Sequence, residues 1–257
     1  MTMKSIPLPG RPAAGAPFPL VCAPLVGRNR EALLAEAATV AATGPDLLEW
    51  RVDFFEGIGR TADVVALAGE IRQAAGGLPL LFTRRSAREG GEPIALAEPQ
   101  VVALYQAVCA ARAADLVDFE MANAAPDVLA VREAARRTGI ALVLSFHDFQ
   151  GTPPAEILAA RFDQAHQLGA DVAKLAVMPH GMADVLTLLG ATLQASERLP
   201  IAVVSMAMGA QGAVTRLCGG AFGSAMSFGV GQAPSAPGQL PVAALKAVRG
   251  LLRAAPG

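Results

Sequence analysis

ALVLSFHDFQGTPPAEILAARFDQAHQLGADVAKLAV, residues 141–177, is the stretch from which the fold can be read. It opens on an apolar strand, 141–146, and crosses a Gly-Thr-Pro-Pro turn. It closes on a second apolar strand, 172–177. Pro153 and Pro154 open the helix between them, because proline is tolerated in the first turn of a helix and not in its interior. Strand, helix and strand in this order form the βα repeat of a parallel sheet. Outward from this unit the same alternation continues in both directions. Candidate strands lie at 20–26, 47–52, 80–83, 116–120, 141–146, 172–177, 201–206 and 223–228. Segments with apolar residues at 3.6-residue spacing separate them, among them 32–42, 64–75, 101–113, 128–137 and 185–194. Asp127 follows Pro126 at the start of one such helix and Gly139 ends it. Eight βα units in a chain of 257 residues predict a single-domain α/β fold, a (β/α)8 TIM barrel over residues 18–257.

Residues 1–17 read as an extended or disordered leader. Pro7, Pro9, Pro12, Pro17 and Pro19 interrupt the continuous apolar helix that a signal peptide needs. The uncharged run 199–215 is broken by Ser205, Gly209, Gln211 and Gly212, so no membrane span is expected. The formal net charge of -1 offers no basic field for phosphodiesters, and one Trp and one Tyr leave few platforms for stacking bases. Nucleic acid is therefore not an expected partner. Cys22, Cys109 and Cys218 are odd in number and sit in apolar runs, which reads as reduced, buried thiols in a cytoplasmic protein.

In such a barrel the reactive groups belong at the C-terminal ends of the strands and in the loops that follow. Several segments place chemistry there. Lysine is scarce, and of Lys4, Lys174 and Lys246 only Lys174 interrupts a strand, in DVAKLAVM. A buried ammonium either pairs with a carboxylate or titrates toward the neutral amine, which is a nucleophile able to form an imine. VLSFHDF ends a strand in His147, which can take and return a proton near neutral pH. His166 and His180 fall in a helix and a loop and read as surface or packing residues. LLEWRVDF puts Glu49, Arg51 and Asp53 at alternate positions of a strand, all three on one face, where Glu49 and Arg51 could pair as a polar plug or bind hydroxyls. In LVDFEM, Asp118 and Glu120 repeat that pattern and read mainly as structural partners of basic neighbours. FTRRSAREGGE carries Arg85, suited to planar recognition, and Glu89, which could orient a histidine through Nδ1. Arg216 follows a Gly-rich turn, and APSAPGQLP is a Pro/Gly loop carrying Ser235 and Gln239 that could act as a lid.

Together EWRVDF, FTRRSAREGGE, SFHDF, AKLAVMP, SMAMGAQGAVTRLCGGAFGSAMSFG and SAPGQLP resemble one family, the type I 3-dehydroquinate dehydratases, from about Leu20 to the C-terminus and in the family's order. The resemblance implies a metal-free, cofactor-free lyase, usually a homodimer, that dehydrates 3-dehydroquinate to 3-dehydroshikimate in the shikimate pathway. It implies Lys174 as the imine-forming residue, His147 as the general acid/base and Glu89 as its carboxylate partner. Arg216 would hold the substrate carboxylate. Glu49, Arg51 and Arg85 would bind ring hydroxyls, Ser235 and Gln239 would come from the closing loop, and Met206, Met208 and Phe228 would line the site. Where many relatives carry a serine on the first strand, this chain reads Cys22-Ala23-Pro24-Leu25, so no contact is assigned there. Two other readings compete: another class I Schiff-base aldolase, which leaves the His147 and Glu89 pairing unexplained, and a non-catalytic sensor of a shikimate-pathway metabolite, which leaves the retention of both Lys174 and His147 unexplained.

Overall fold

The computed structural model describes residues 3–8 and 18–254. Eight strands follow one another in space as they do in sequence: β1 (Leu20–Leu25), β2 (Leu47–Arg51), β3 (Leu80–Thr83), β4 (Leu116–Glu120), β5 (Ala141–Asp148), β6 (Val172–Val177), β7 (Ala202–Ala207) and β8 (Met226–Val230). All neighbouring pairs are parallel, and β8 returns to pair with β1. Between β7 and β8 the barrel closes through a bridge, Val203 to Ser224, with the Ala225 N–H donating to the Val203 carbonyl at 2.8 Å. The crossover helices are α1 (Arg30–Ala42), α2 (Thr61–Ala74), α3 (Glu98–Ala110), α4 (Ala125–Thr138), α5 (Ala155–Gln167), α6 (Met182–Arg198), α7 (Gly209–Cys218) and α8 (Val242–Ala254).

Several helices begin about a turn earlier than their apolar spacing predicts. Their first turns are polar, so periodicity is blind to them. In α1 that turn is held by the Asn29 side chain, which accepts the Ala32 N–H at 2.9 Å. Three further differences have local causes. Strand β2 ends at Arg51, and Asp53 sits in a 3-10 turn, Val52–Phe54, so the three charges do not share one extended strand face. Strand β8 begins at Met226, because Gly223 ends a 3-10 turn (Gly219–Phe222) in the left-handed region at φ 90°. The Gly-rich stretch after β7 is helix α7. Gly212 is there for close approach, since a Cβ would lie 2.4 Å from the Ala207 carbonyl carbon. A ninth, two-residue strand, β9 (Leu240–Pro241), pairs with β8 and was not foreseen.

Strand residues alternate between two environments. One set, including Leu48, Trp50, Phe82, Phe119, Leu144 and Leu175, packs outward under the helices. Trp50, Phe82, Tyr105 and Phe119 form an edge-to-face series with centroids 5.7, 5.3 and 5.1 Å apart, each contact contributing about 1 kcal/mol beyond its burial. The inward set changes character along the barrel axis. At the N-terminal ends it is apolar, with Leu47, Leu81, Leu116, Val143, Val172 and Ala202. Ile6 and Leu8, from the segment read as a leader, are buried against this layer. Residues 1–2 and 9–17 of that segment lie outside the described residues. One step further along, the same inward positions are Glu49, Thr83, Asp118, Ser145 and Lys174. A further step brings Arg51, Arg85, Glu120 and His147.

Candidate active site

Those inward polar steps and the loops after β3 and β8 line a cleft of about 460 Å³ at the C-terminal mouth of the barrel, where this fold places its reactive groups. Its walls include the twelve residues to which the family resemblance assigns a site role: Glu49, Arg51, Arg85, Glu89, His147, Lys174, Met206, Met208, Arg216, Phe228, Ser235 and Gln239. His166 and His180 are not among them.

Lys174 is buried at 3% exposure. Its Nζ donates to Asp118 Oδ2 at 2.8 Å, lies 3.7 Å from Glu49 Oε1, and stands 4.4 Å from the centre of the Phe228 ring. The nearest carboxylate is therefore Asp118, whose place in LVDFEM marks it mainly as a structural partner of basic neighbours. Glu49 does not pair with Arg51; its Oε1 accepts the Thr83 hydroxyl at 2.9 Å, while Arg51 forms a two-pronged pair with Asp53 at 2.9 and 2.7 Å. The short turn after β2 folds Asp53 back beneath the guanidinium.

His147 sits on β5 one inward step beyond Ser145, which is level with Lys174. Its Nδ1 is 2.8 Å from Glu89 Oε2, and the same oxygen accepts the His147 backbone N–H at 3.1 Å. Glu89 reaches it from a 3-10 turn ended by Gly90 at φ 81°, with the Phe149 ring lying where a Gly90 Cβ would be. Burial, then the charges of Arg85 and Lys174, hold the imidazole well below its ordinary pKa. Burial pushes the Glu89 carboxyl up to about 8 against the pull of Arg85. When Glu89 is ionised, Nδ1–H points to it and Nε2 keeps its lone pair for the cleft.

Arg85 is the hub below this pair. It donates to Asp118 Oδ1 at 2.8 Å, to Glu120 Oε1 at 3.2 Å and to Ser145 Oγ at 2.8 Å. Arg84 points the other way and pairs with Glu98 at 2.7 Å. Arg216, on α7, differs from both. Its guanidinium donates to the carbonyls of Phe228 at 3.4 Å and Pro237 at 3.1 Å, its Nε has no partner, and among the described residues no carboxylate pairs with it. Burial without a counter-charge lowers its pKa to about 10. An uncompensated buried guanidinium on a cleft wall is an acceptor site for an anion.

Ser235 and Gln239 face each other across the loop after β8, Gln239 Nε2 donating to Ser235 Oγ at 3.1 Å. The loop lies over the cleft, with the Ser235 carbonyl accepting from Arg51 at 3.3 Å. On β1, Pro24 is opposite Glu49 and Cys22 is opposite Leu47. Cys22 and Cys109 are buried free thiols; Cys218, expected to be buried, is half-exposed because it ends α7. Among the described residues no three His, Cys, Asp or Glu side chains come together as a metal-holding group. Residues missed in the sequence are Asp118 as the lysine's partner, Ser145 beneath it, and Phe149 and Ala176 on the wall. The period-two charges of LVDFE carried the signal for Asp118, but a spacing does not say which cation a carboxylate will meet.

Fold and cleft together define a (β/α)8 barrel with a buried lysine amine and a carboxylate-paired imidazole at its C-terminal mouth. A family model described as type I 3-dehydroquinase matches residues 21–255. The 3-dehydroquinate dehydratase of Albidiferax ferrireducens is 56% identical over 254 residues, 99% of this chain and 96% of its own, and that of Aromatoleum aromaticum is 48% identical over 250 residues, covering 97% and 96%. The crystal structure of 3-dehydroquinate dehydratase from Geobacillus kaustophilus matches with a TM-score of 0.94 at 45% identity over 98% of both chains. A type I 3-dehydroquinate dehydratase structure from Clostridium difficile, with covalent modified comenic acid, matches at 0.93 and 33% identity over 100% of both. The chain belongs to the type I 3-dehydroquinase family.

Proposed function

We propose that this enzyme dehydrates 3-dehydroquinate to 3-dehydroshikimate through an imine on Lys174, with His147 as the general acid/base. The observation that carries the reading is the placement of Lys174 Nζ and the His147–Glu89 pair on adjacent strands facing one cleft. The amine adds to the C3 ketone and water leaves, so that C2 becomes acidic. His147 Nε2 takes the C2 proton and returns it to the departing C1 hydroxyl. Glu89 orients the ring through Nδ1. Arg216 binds the substrate carboxylate, Glu49, Arg51 and Arg85 bind the hydroxyls, Met206, Met208 and Phe228 shape the apolar wall, and Ser235 and Gln239 close over the ring. The covalently modified ligand in the Clostridium difficile relative supports a covalent route.

Adding 3-dehydroquinate should produce the enone absorbance of the product, and borohydride added with substrate should inactivate the protein and leave its adduct on Lys174. No enone signal, or an adduct on Lys4 or Lys246, would defeat the reading. The homodimer and the cytoplasmic setting belong to the same proposal. Met182 and Leu186 stand exposed one turn apart on α6, as apolar side chains a second copy could cover. Sedimentation at monomer mass would reject the dimer.

A further inference from the structure

We infer that Asp118 is a positioning residue that holds the remaining proton on the Lys174 nitrogen throughout the covalent stages, so that the adduct stays an iminium and serves as the electron sink. The inference rests on the imine reading above and deepens it.

The geometry singles out this carboxylate. Four acidic side chains surround the lysine and the histidine, and three are otherwise committed: Glu49 Oε1 takes the Thr83 hydroxyl and stays 3.7 Å from Nζ, Glu89 is held by His147, and Glu120 Oε1 accepts from Arg85 and from the Ser86 N–H. Asp118 alone is within hydrogen-bond distance of Nζ, at 2.8 Å through Oδ2. Its other oxygen accepts from Arg85 at 2.8 Å and from the Ser145 hydroxyl at 2.6 Å. The carboxylate is fully buried and cannot swing away without abandoning both donors. Burial alone would raise its pKa, but Arg85 and then Lys174 outweigh burial and hold it far below the usual range. A carboxylate tied in this way accepts a hydrogen bond without taking the proton.

The proton count shows why such a group matters. The ammonium nitrogen carries three protons when it begins. Two leave with the ketone oxygen as water, and the third stays on nitrogen as the C=N bond forms, giving the positively charged iminium. Loss of the C2 proton to His147 moves the C–H electron pair toward nitrogen and gives a neutral enamine. Departure of the C1 hydroxyl, protonated by His147, restores the iminium, and water then releases the product. An imine that lost its last proton would be a poor electron sink. The Phe228 ring, 4.4 Å from Nζ, presents its negative face to the same cation.

The other ionisable groups around this nitrogen are Cys22 on β1, Glu49 on β2, Arg85 after β3, Glu120 on β4 and His147 on β5. Strands β7 and β8 contribute Val204, Met206 and Phe228, which do not titrate. Asp118 is the anion of this set that Nζ touches.

The test is trapping by cyanoborohydride, which reduces protonated imines in preference to neutral ones, between about pH 6 and 9, the range in which imidazole and thiol groups also titrate. Wild-type protein with 3-dehydroquinate should be trapped on Lys174 across the range. In Asp118→Asn the alkaline fall in trapping should begin at least about one pH unit lower. Its kcat should drop ~100-fold with KM changed far less, and Asp118→Glu should restore part of the limb. Should Asp118→Asn fail to fold, Ser145→Ala and Asp118→Glu, which only displace the carboxylate, read the same limb and should shift it by roughly half a unit. A wild type that yields no Lys174 adduct defeats the imine reading itself. A wild type that is trapped, beside folded variants whose limb does not move, leaves the imine standing and overturns the role of Asp118.

Discussion

Replacing His147 with alanine removes the proposed proton carrier but leaves Arg51, Arg85 and Arg216 on the cleft wall. His147→Ala is expected to bind 3-dehydroquinate and turn over at least ~100-fold more slowly. Wild-type turnover would remove His147 from the mechanism. Arg216 stands out because Arg51 and Arg85 are matched by Asp53, Asp118 and Glu120 and it is not. Arg216→Ala should therefore act chiefly on affinity, raising KM at least ~10-fold with a smaller effect on kcat; an unchanged KM would contradict its role. Glu89 makes a stability prediction with a definite sign. Its pKa is raised from 4.5 to about 8 in the folded protein, so the folded state binds more protons across that window. The stability it contributes is present below the lower value and lost as pH rises toward the upper one. Melting temperatures of wild type and Glu89→Gln, compared across this window, should diverge in favour of the variant as pH rises. Parallel curves would show that Glu89 is not raised.

The loop after β8 and the turns around it act as units. Between β8 and β9 the chain is held over the cleft by the Ser235 and Pro237 carbonyls, which accept from Arg51 and Arg216. Both guanidinium groups are the proposed substrate binders, so ligand and loop share donors, and substrate would reorganise the loop's anchorage as it binds. Gly238, at φ 77°, lies against the Gly209 backbone, where a Cβ would meet the carbonyl oxygen at 2.2 Å. Gly238→Ala should lift the loop and cut kcat/KM by about tenfold, while the melting temperature moves little, since the cost falls on a surface segment. An unchanged kcat/KM would make the loop a static connector. Amide exchange across 235–239 should slow when the borohydride-reduced ligand is bound; equal exchange in both states would reject closure on ligand.

At the opposite end of the barrel the interior is closed by residues far from any chemistry. Ile6 and Leu8 are buried against the apolar floor, and Lys4 donates to the carbonyl of Ser196 at the end of α6. Truncating Ile6 to alanine should cost about 2–4 kcal/mol, the usual range for a buried aliphatic side chain. For a chain of this length each kcal/mol corresponds to roughly 2–4 °C in melting temperature. Activity of the folded fraction at low temperature should be unchanged, because the floor and the cleft are separated by the layer from Leu47 to Ala202. A large fall in kcat with an unaltered melting temperature would contradict this separation.

Much of this protein was legible in one dimension. Alternation of apolar runs with 3.6-spaced segments specified the eight strands, because burial on both faces of a parallel strand and on one face of its helix leaves a distinct period in each. The odd positions of LLEWR, LVDFE and VLSFH announced inward charges for the same reason. The Gly-rich stretch after β7 misled, since glycine also serves close packing, as Gly212 does against Ala207. Polar first turns concealed helix starts, and Ile6 and Leu8 were too isolated among prolines to register as floor. What only the tertiary structure decided was pairing. Residues 56 positions apart, Lys174 and Asp118, meet because β4, β5 and β6 are consecutive neighbours in the sheet and both side chains point inward, Asp118 opposite Val143 and Lys174 opposite Ser145 one inward step further along β5. Glu89 meets His147 across 58 positions through a turn after β3, while Glu49 turns to Thr83 and Arg51 to Asp53. Spacing along a strand tells which way a charge points; its partner is set by the register between strands and by the turns above them, and these depend on contacts made throughout the closed barrel.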